Sequence, residues 1–238
     1  MNISAQNIDF KDLNKQVREA TGDVRIENCY GQRFIGSGLK DKVITIEGTP
    51  GNALGAYLDG AVIKVNGNAQ DAVGDTMNNG TIVIHGNAGD ALGYAMRGGE
   101  IYVRGDAGYR TGIHMKEYND KKPVIIVGGR VGSFLGEYLA GGLIVVLGTG
   151  GEDIPVGNFT GTGMHGGRIF IRTNRELTGL PAQVTAEIAS AEEMAEITPY
   201  LARYAEYFGV DAALLAKDKF YILKPNAKNP YKQLYVAN

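Results

Sequence analysis

A unit of about 19 residues recurs along this chain of 238 residues and leaves few folds open. Each copy starts with an aliphatic pentad: VRIEN at 24, ITIEG at 44, IKVNG at 63, IVIHG at 82, IYVRG at 101, VIIVG at 124, IVVLG at 144 and IFIRT at 169. The first and third pentad positions are aliphatic in every copy, which is the period-two pattern of a strand with one buried face. Repeats of this length predict a solenoid, because each unit buries its apolar face only against its neighbours.

Glycines recur with the pentads in the pattern GxxGxxxG. The pattern occurs at Gly48/Gly51/Gly55, Gly86/Gly89/Gly93, Gly105/Gly108/Gly112 and Gly129/Gly132/Gly136, whereas the copy at Gly67 keeps Gly74 and has Gln70 in the middle. Sharp corners with positive φ and no room for a Cβ explain such columns of glycine.

Two further apolar columns lie between and after the glycines. They contain Leu54, Val73, Leu92 and Leu135, with Thr111 as the weak member, and then Leu58, Met77, Met96, Met115 and Leu139. With the two pentad columns they give four inward columns per turn, stacked about 4.8 Å apart. The predicted fold is therefore an all-β solenoid, a single-stranded β-helix of about eight glycine-cornered coils with short N- and C-terminal helices. A right-handed coil is expected from the bias of parallel crossovers.

Helices are predicted at both ends of the solenoid. Near the N-terminus, Phe10, Leu13, Val17 and Ala20 share one helical face behind a candidate cap at Asp9. We expect an N-terminal helical segment over residues 1–22, the β-helix over 23–175, and a C-terminal helical cap and tail over 176–238.

Capping residues mark three helices in the C-terminal part. Ser190 and Glu193 form a capping-box pattern, and Thr198 with Pro199 suits the start of a second helix that reaches Phe208. Asp211 suits the cap of a third, short helix. Such helices would cover the open backbone edges of a solenoid.

Charge and cysteine content narrow the function. A formal charge of -2 and a pI of about 6.0 give no electrostatic case for nucleic acid or an anionic membrane as partner. Cys29 is the only cysteine, which fits a reducing compartment and excludes an intrachain disulfide. The N-terminus lacks the pattern of a signal peptide, and no stretch approaches 18 apolar residues. We therefore expect a cytoplasmic protein.

Candidate catalytic and binding residues are sparse. The segment GTGMHG at 161–166 matches the dinucleotide fingerprint, but a strand follows where a helix is required, which favours a glycine corner. The imidazoles of His85, His114 and His165 belong to different coils and do not converge as metal ligands.

Carbohydrate-active β-helix enzymes cluster carboxylates and basic residues in an outer groove. Here Glu47, Arg104 and Lys64 are scattered among outward positions, which favours a solvated face. The sequence therefore assigns no catalytic, cofactor-binding or metal-ligating residue to this chain.

An outward column changes character along the chain. The second pentad position is polar in the first three coils, with Arg25, Thr45 and Lys64, and apolar in the next five, with Val83, Tyr102, Ile125, Val145 and Phe170. The fourth position adds Val127 and Leu147. An apolar stripe on the outside of a solenoid is normally covered by another part of the chain or by a partner. Residues 182–216 are expected to cover part of it, with the rest available to another chain.

Several segments in order resemble a known family. The glycine-cornered coils, NCYGQRFIGSGL, GYRTGIHMKEY, FLGEYLAGGLIVVLG, GTGMHGG and NPYKQLYV are similar to the C-terminal GXGXG domain of the large subunit of glutamate synthase. The resemblance runs from about residue 8 to the end, and length and the Met1 start place the chain nearest the free-standing, archaeal-type version. The same β-helix also resembles one of the subunits of formylmethanofuran dehydrogenase and one of the subunits of N-methylglutamate synthase.

This resemblance implies a structural subunit without catalytic residues of its own. Its expected partners are glutamine amidotransferase and FMN-dependent glutamate synthase subunits, with FMN and iron–sulfur on those partners and no cofactor on this chain. A homo-oligomer remains open. So do two other functions: an autonomous carbohydrate-active β-helix enzyme, and a scaffold in a formylmethanofuran dehydrogenase or N-methylglutamate synthase complex.

Overall fold

The computed structural model describes residues 1–151 and 153–226. Its elements, in chain order, are β1 (Asn2–Ser4), α1 (Phe10–Glu19), β2 (Val24–Tyr30), β3 (Val43–Thr49), β4 (Asp59–Asn66), β5 (Asn79–Ile84), β6 (Glu100–Val103), β7 (Val124–Val127), β8 (Ala140–Val146), β9 (Gly166–Arg172), β10 (Val184–Ile188), α2 (Ala191–Phe208), α3 (Ala212–Ala216) and β11 (Phe220–Pro225). The last part of the GXGXG-like sequence, NPYKQLYV, lies outside the described residues.

Strands β2 to β9 stack in sequence order as parallel neighbours, and each opens one coil. We number these coils 1 to 8. The chain is therefore a β-solenoid of eight coils, which confirms the predicted fold class; the right-handed sense stays a prediction from the crossover bias. β1 adds one parallel strand before coil 1, and β11 and β10 extend the sheet antiparallel after coil 8.

The interior of the solenoid is a stack of identical positions. Ile63, Ile82, Ile101, Ile125 and Ile144 occupy one ladder and are fully buried. The two predicted columns between and after the glycines are buried as well, including Thr111, whose hydroxyl donates to the Gly108 carbonyl at 3.3 Å. Each coil thus buries its apolar face against two neighbours, as the repeat predicts.

The strand register of coil 6 corrects the pentad alignment by one residue. Ile125 pairs with Ile101 and Ile144, so Ile125 and Val127 point inward rather than outward. The outward residue of this coil is Ile126, which aligns with Tyr102. Because side chains alternate along a strand, a slip of one residue exchanges the two faces.

Each of the first seven coils turns at three left-handed residues spaced two apart, with φ between 50° and 75°. We call these positions the first column, the glycine column and the second column. The first column is Phe34, Ala53, Ala72, Ala91, Arg110, Phe134 and Phe159; the glycine column is Gly36, Gly55, Gly74, Gly93, Gly112, Gly136 and Gly161; the second column is Gly38, Tyr57, Thr76, Ala95, His114, Tyr138 and Gly163.

The middle position requires glycine on two counts in each of these seven coils. A Cβ on Gly93 would lie 2.4 Å from Cδ1 of Ile125, and the other members of the glycine column also meet side chains of the core. Most residues of the first and second columns are partly or fully exposed, so they have the same backbone conformation without a clash against the core. Ala53, Thr76 and Gly163 are buried, and a Cβ on Gly163 would lie 2.4 Å from the Tyr138 ring. Positive φ alone therefore does not select glycine in this fold.

The first two glycines of the GxxGxxxG pattern confirm the predicted lack of room for a Cβ, but among them only Gly48 has the predicted positive φ. Gly86 and Gly89 do not have positive φ, but a Cβ on Gly89 would lie 2.2 Å from Oδ1 of Asp71 on the coil below. A Cβ on Gly67 would lie 2.3 Å from the Gly48 carbonyl oxygen. These glycines allow two backbones to approach closely.

Side chains add a ladder beside the corners. Oδ1 of Asp71 accepts from the Asp90 amide at 2.9 Å, and Oδ1 of Asp90 accepts from the Tyr109 amide at 2.8 Å. The acceptor lies 19 residues before its donor, so this bond recurs once per coil. It replaces a backbone partner where the corner leaves an amide unpaired.

The terminal helices begin at the predicted caps, with one difference. Asp9, Ser190 and Asp211 cap α1, α2 and α3, and Ser190 and Glu193 complete the capping box. Thr198 and Pro199 do not start a new helix, because α2 continues through Pro199 to Phe208. Burial of its apolar face outweighs the hydrogen bond that proline cannot donate.

We predict that Glu193 of the capping box contributes to the stability of the fold in a pH-dependent way. A hydrogen bond from Lys224, and then the Ser190 amide, lower the pKa of Glu193 to about 2 from 4.5. A lowered pKa stabilises the fold above about pH 4.5, and that contribution is lost as the pH falls toward 2. Glu193→Gln should therefore lower the melting temperature at pH 7 and lose this effect near pH 2. Glu192→Gln, in the same helical turn, is the control; an equal loss at both pH values for Glu193→Gln would contradict the prediction.

Candidate interaction surfaces

The C-terminal helix covers the outward apolar stripe. Val83, Tyr102, Ile126, Val145 and Phe170 are each at most 1% exposed. They pack with residues of α2, α3 and β11: Ile197, Leu201, Tyr204, Ala205, Phe208, Leu215, Phe220 and Ile222. The expected cover by residues 182–216 is confirmed, and the expectation that part of the stripe stays available to another chain is wrong.

A partly buried polar contact fixes α2 on this wall. Nε of Arg203 donates to the Tyr102 hydroxyl at 3.0 Å, and Arg203 lies 2.8 Å from Glu100. The Tyr102 hydroxyl donates to Glu100 at 2.5 Å, and burial together with this carboxylate raises the pKa of Tyr102. The helix is therefore oriented by a charge-assisted network and held by apolar packing.

A second surface is open and lies at the corners of the coils. We call the first and second columns of coils 2 to 7 the corner face. The Ala72 and Thr76 amides donate to coil 4 at 2.8 and 2.7 Å, and the Gly74 amide donates to coil 2 at 2.8 Å. The same pattern repeats along the stack, so the columns are straight ladders with the spacing of a β-sheet.

Aromatic rings and one arginine occupy the C-terminal half of the corner face. Phe134 and Phe159 stack with centroids 5.1 Å apart, and the guanidinium of Arg110 lies 5.0 Å from the Phe134 ring. In the second column His114 stacks on Tyr138 at 5.0 Å. The phenylalanine at 159 is 56% exposed, so the stack faces solvent.

The residues that carry these side chains have an unfavourable backbone conformation. The left-handed conformation costs a non-glycine residue about 1–2 kcal/mol, and Phe134, Tyr138 and Phe159 all adopt it. Two positions of the second column are occupied by glycine, Gly38 and Gly163. A glycine in place of Tyr138 would likewise avoid the cost of the left-handed backbone. An aromatic ring that is both strained and exposed points to a role outside the folded monomer. The sequence patterns did not reveal this face, although the rings recur at the repeat spacing.

The residues considered for chemistry stay apart. His85 lies edge-on to the Phe208 ring at 5.2 Å; burial, and then Arg104 and Lys64, lower the pKa of this imidazole. His165 follows the last glycine corner, with Nδ1 3.2 Å from the Gly163 carbonyl oxygen. Within residues 1–151 and 153–226, no three His, Cys, Asp or Glu side chains could hold one metal ion.

The other candidate groups have structural partners. Glu47 lies 2.7 Å from Arg25 and accepts from Asn66 at 2.7 Å, three coils from Arg104. Cys29 is buried, and burial raises the pKa of the thiol to about 11. The GTGMHG segment forms the last left-handed corner and leads into β9, as the strand after it predicts.

The model of the GXGXG motif family matches residues 6–226. The chain belongs to the GXGXG family. Protein MJ1350 of Methanocaldococcus jannaschii is 40% identical over 251 aligned positions, which cover 99% of this chain and 96% of that protein. This GXGXG chain also shares its fold with a chain of the formyltransferase/hydrolase complex from Methylorubrum extorquens, solved with methylofuran. The TM-score is 0.60 and the identity 22%, over 84% of this chain and 72% of that one.

No helix in the described part of this GXGXG chain is long and apolar enough to cross a bilayer. The eight coils bury their apolar columns completely, and the covered outer wall leaves the corner face as a large aromatic surface among the described residues.

Proposed function

We propose that this chain is a non-catalytic structural subunit of a multi-subunit enzyme of the glutamate synthase type. In this proposal it packs between a glutamine amidotransferase subunit and an FMN-dependent synthase subunit in the cytoplasm. FMN and iron–sulfur belong to those partners. The order of segments shared with the glutamate synthase GXGXG domain supports the assignment.

The observation that carries the proposal is the corner face. Aromatic residues and arginine are the residue types that most often anchor protein–protein interfaces. Here Arg110, Phe134 and Phe159 form a stack on left-handed backbone, and the first of them also pairs with Glu137 at 3.1 Å. The strain and exposure of this stack are compensated if another chain buries it.

A second candidate follows from the solved structure with the same fold. That structure is of a formyltransferase/hydrolase complex with bound methylofuran. The same corner face would suit a scaffold subunit in a one-carbon complex of that kind. The two candidates differ in the partner subunits and agree on the role of this chain.

Reconstitution tests the proposal. The full chain is co-expressed with the amidotransferase and FMN-dependent subunits of its own genome, and in parallel with formyltransferase/hydrolase subunits. We expect a stable complex with the first set, and a lower yield of complex with Arg110→Ala/Phe134→Ala. Leu214→Ala, at a residue that is 61% exposed on α3, is the control. Turnover of glutamine or of an acidic glycan by the purified chain alone would contradict the proposal.

A further inference from the structure

The first column of the corner face has small and large side chains in separate halves. Its small residues are Ala53, Ala72 and Ala91 on coils 2 to 4, of which Ala53 is buried, and the large side chains follow on coils 5 to 7. The helix α1 ends the face at coil 1, where Phe10 lies 6.0 Å from Phe34. The open part therefore has six coils, and its midpoint lies between coils 4 and 5.

We propose that the corner face binds the corner face of a second copy of this chain, with the two solenoids antiparallel. The inference rests on the proposed function in taking this face as an association surface. Because both contacts use the same residues, the dimer is proposed for the chain without its partner subunits, which would compete with the second copy for this face. A twofold axis between coils 4 and 5 maps coil 2 onto coil 7, coil 3 onto coil 6 and coil 4 onto coil 5. Closed twofold contacts of this kind are the commonest symmetry of homo-oligomers.

This axis places a large side chain opposite a small one along both columns. In the first column the facing positions are Phe159 with Ala53, Phe134 with Ala72, and Arg110 with Ala91; in the second they are Tyr138 with Thr76, His114 with Ala95, and Tyr57 with Gly163. The ring of Tyr138 lies over Gly163, so Tyr57 meets an aromatic edge there. Complementary size lets two such surfaces approach closely.

Other registers lose this complementarity. Moving the axis to coil 4 brings Phe159 onto coil 1, where α1 covers the face. Moving it to coil 5 sets Arg110 against the same residue of the second copy. The axis between coils 4 and 5 is therefore the favoured one.

The charges and hydroxyls of one neighbouring column support the same arrangement. The column before the first column has exposed carboxylates at Asp71 and Asp90 and hydroxyls at Tyr109 and Ser133. The twofold axis sets Asp90 against Tyr109 and Asp71 against Ser133, and it brings Arg110 close to the Asp90 carboxylate. Acceptors in one half of the face thus meet donors in the other half.

The size of the face sets the expected strength. Six coils at about 4.8 Å span about 24 Å, which is at the small end of specific interfaces. We therefore expect a reversible dimer that dissociates on dilution through the micromolar range.

Sedimentation equilibrium of the full chain over a range of concentrations tests the dimer. Ala72→Phe should raise the dissociation constant about tenfold or more, since Phe134 would then face a ring. The fold accepts this change, because Phe134 and Phe159 have φ of 63° and 62° in the same column, and thermal unfolding checks it. The double variant Ala72→Phe/Phe134→Ala exchanges the two sizes and should restore association.

A charge variant gives an independent test. The axis sets Asp75 against Glu137, two carboxylates, so Asp75→Arg should lower the dissociation constant, whereas Glu206→Arg on α2 should leave it unchanged. A monomer at every concentration, or a dimer unaffected by Ala72→Phe, would overturn the inference. If the chain is monomeric and Arg110→Ala/Phe134→Ala still prevents capture of the amidotransferase or FMN subunit, the proposed function stands without the dimer. If the chain dimerises but captures neither subunit, the dimer stands without the proposed function.

Discussion

Replacing Gly93 by valine should lower the free energy of unfolding by about 2 to 5 kcal/mol, the sum of two costs. A left-handed backbone costs a non-glycine residue about 1–2 kcal/mol. Overpacking a dense core adds about 1–3 kcal/mol. Gly93 has φ of 67°, and its Cβ would lie 2.4 Å from Cδ1 of the fully buried Ile125. Chemical denaturation followed by circular dichroism measures the difference.

Gly209→Val is the matched control for this substitution. Gly209 has φ of 65° at the end of α2, and none of the described residues beyond its chain neighbours lies within 4 Å of its Cβ position. Valine there has the backbone cost without the clash, so the gap between the two variants gives the packing contribution. Equal effects would show that the glycine column is selected by backbone conformation alone.

Phe170→Asp should destabilise the protein by more than about 4 kcal/mol. Removing a buried phenylalanine ring costs about 3–5 kcal/mol, and the new carboxylate is buried among apolar side chains. Phe170 is 0% exposed on the outward side of β9, in the cluster that includes Leu201 and Tyr204 of α2. We expect α2 to detach, and protease cleavage within residues 191–208 together with thermal unfolding would report it.

Thr45→Asp provides the comparison in the same outward column. Thr45 lies between Arg25 and Lys64 on the neighbouring coils and is partly exposed. An aspartate there should change stability by no more than about 0.5 kcal/mol. A Phe170→Asp variant that keeps the stability of Thr45→Asp would show that the covered stripe contributes little to folding.

The register of coil 6 illustrates the limit of a sequence pattern. Residues 124–127 read VIIV, and four aliphatic residues in a row carry no period-two signal. The glycines resolve the ambiguity, because Gly105 and Gly129 are 24 residues apart, as are Ile101 and Ile125. The stripe itself was predictable, since its other four members alternate with inward residues.

In the C-terminal region the helix caps were predictable from the sequence. The continuity of α2 and the placement of β11 in the sheet were less predictable. Ser190, Glu193 and Asp211 have local signatures that tertiary packing did not change. Pro199 signals a helix start, but the apolar face of α2, which includes Ile197, keeps the helix continuous. β11 has only six residues, and its place between β9 and β10 depends on contacts distant in sequence.

The corner face could not be predicted for a different reason. Left-handed backbone is expected at glycine, so Ala72, Arg110 and Phe134 do not stand out in the sequence as one column. Their spacing follows the repeat, but their side chains share no property. Their shared left-handed backbone conformation, which the sequence does not show, identifies them as one column.

The antiparallel end of the sheet also limits growth of the solenoid. Coils 1 to 8 stack parallel, so an open last coil would be a template for the first strand of another molecule. Here β11 pairs with β9 in the opposite direction and, among residues 1–151 and 153–226, β10 forms the outer edge. A strand arriving from another chain meets an edge with a different hydrogen-bond pattern, and head-to-tail stacking into a filament is blocked at that end. Removing β10 and β11 should therefore turn a discrete particle into one that polymerises.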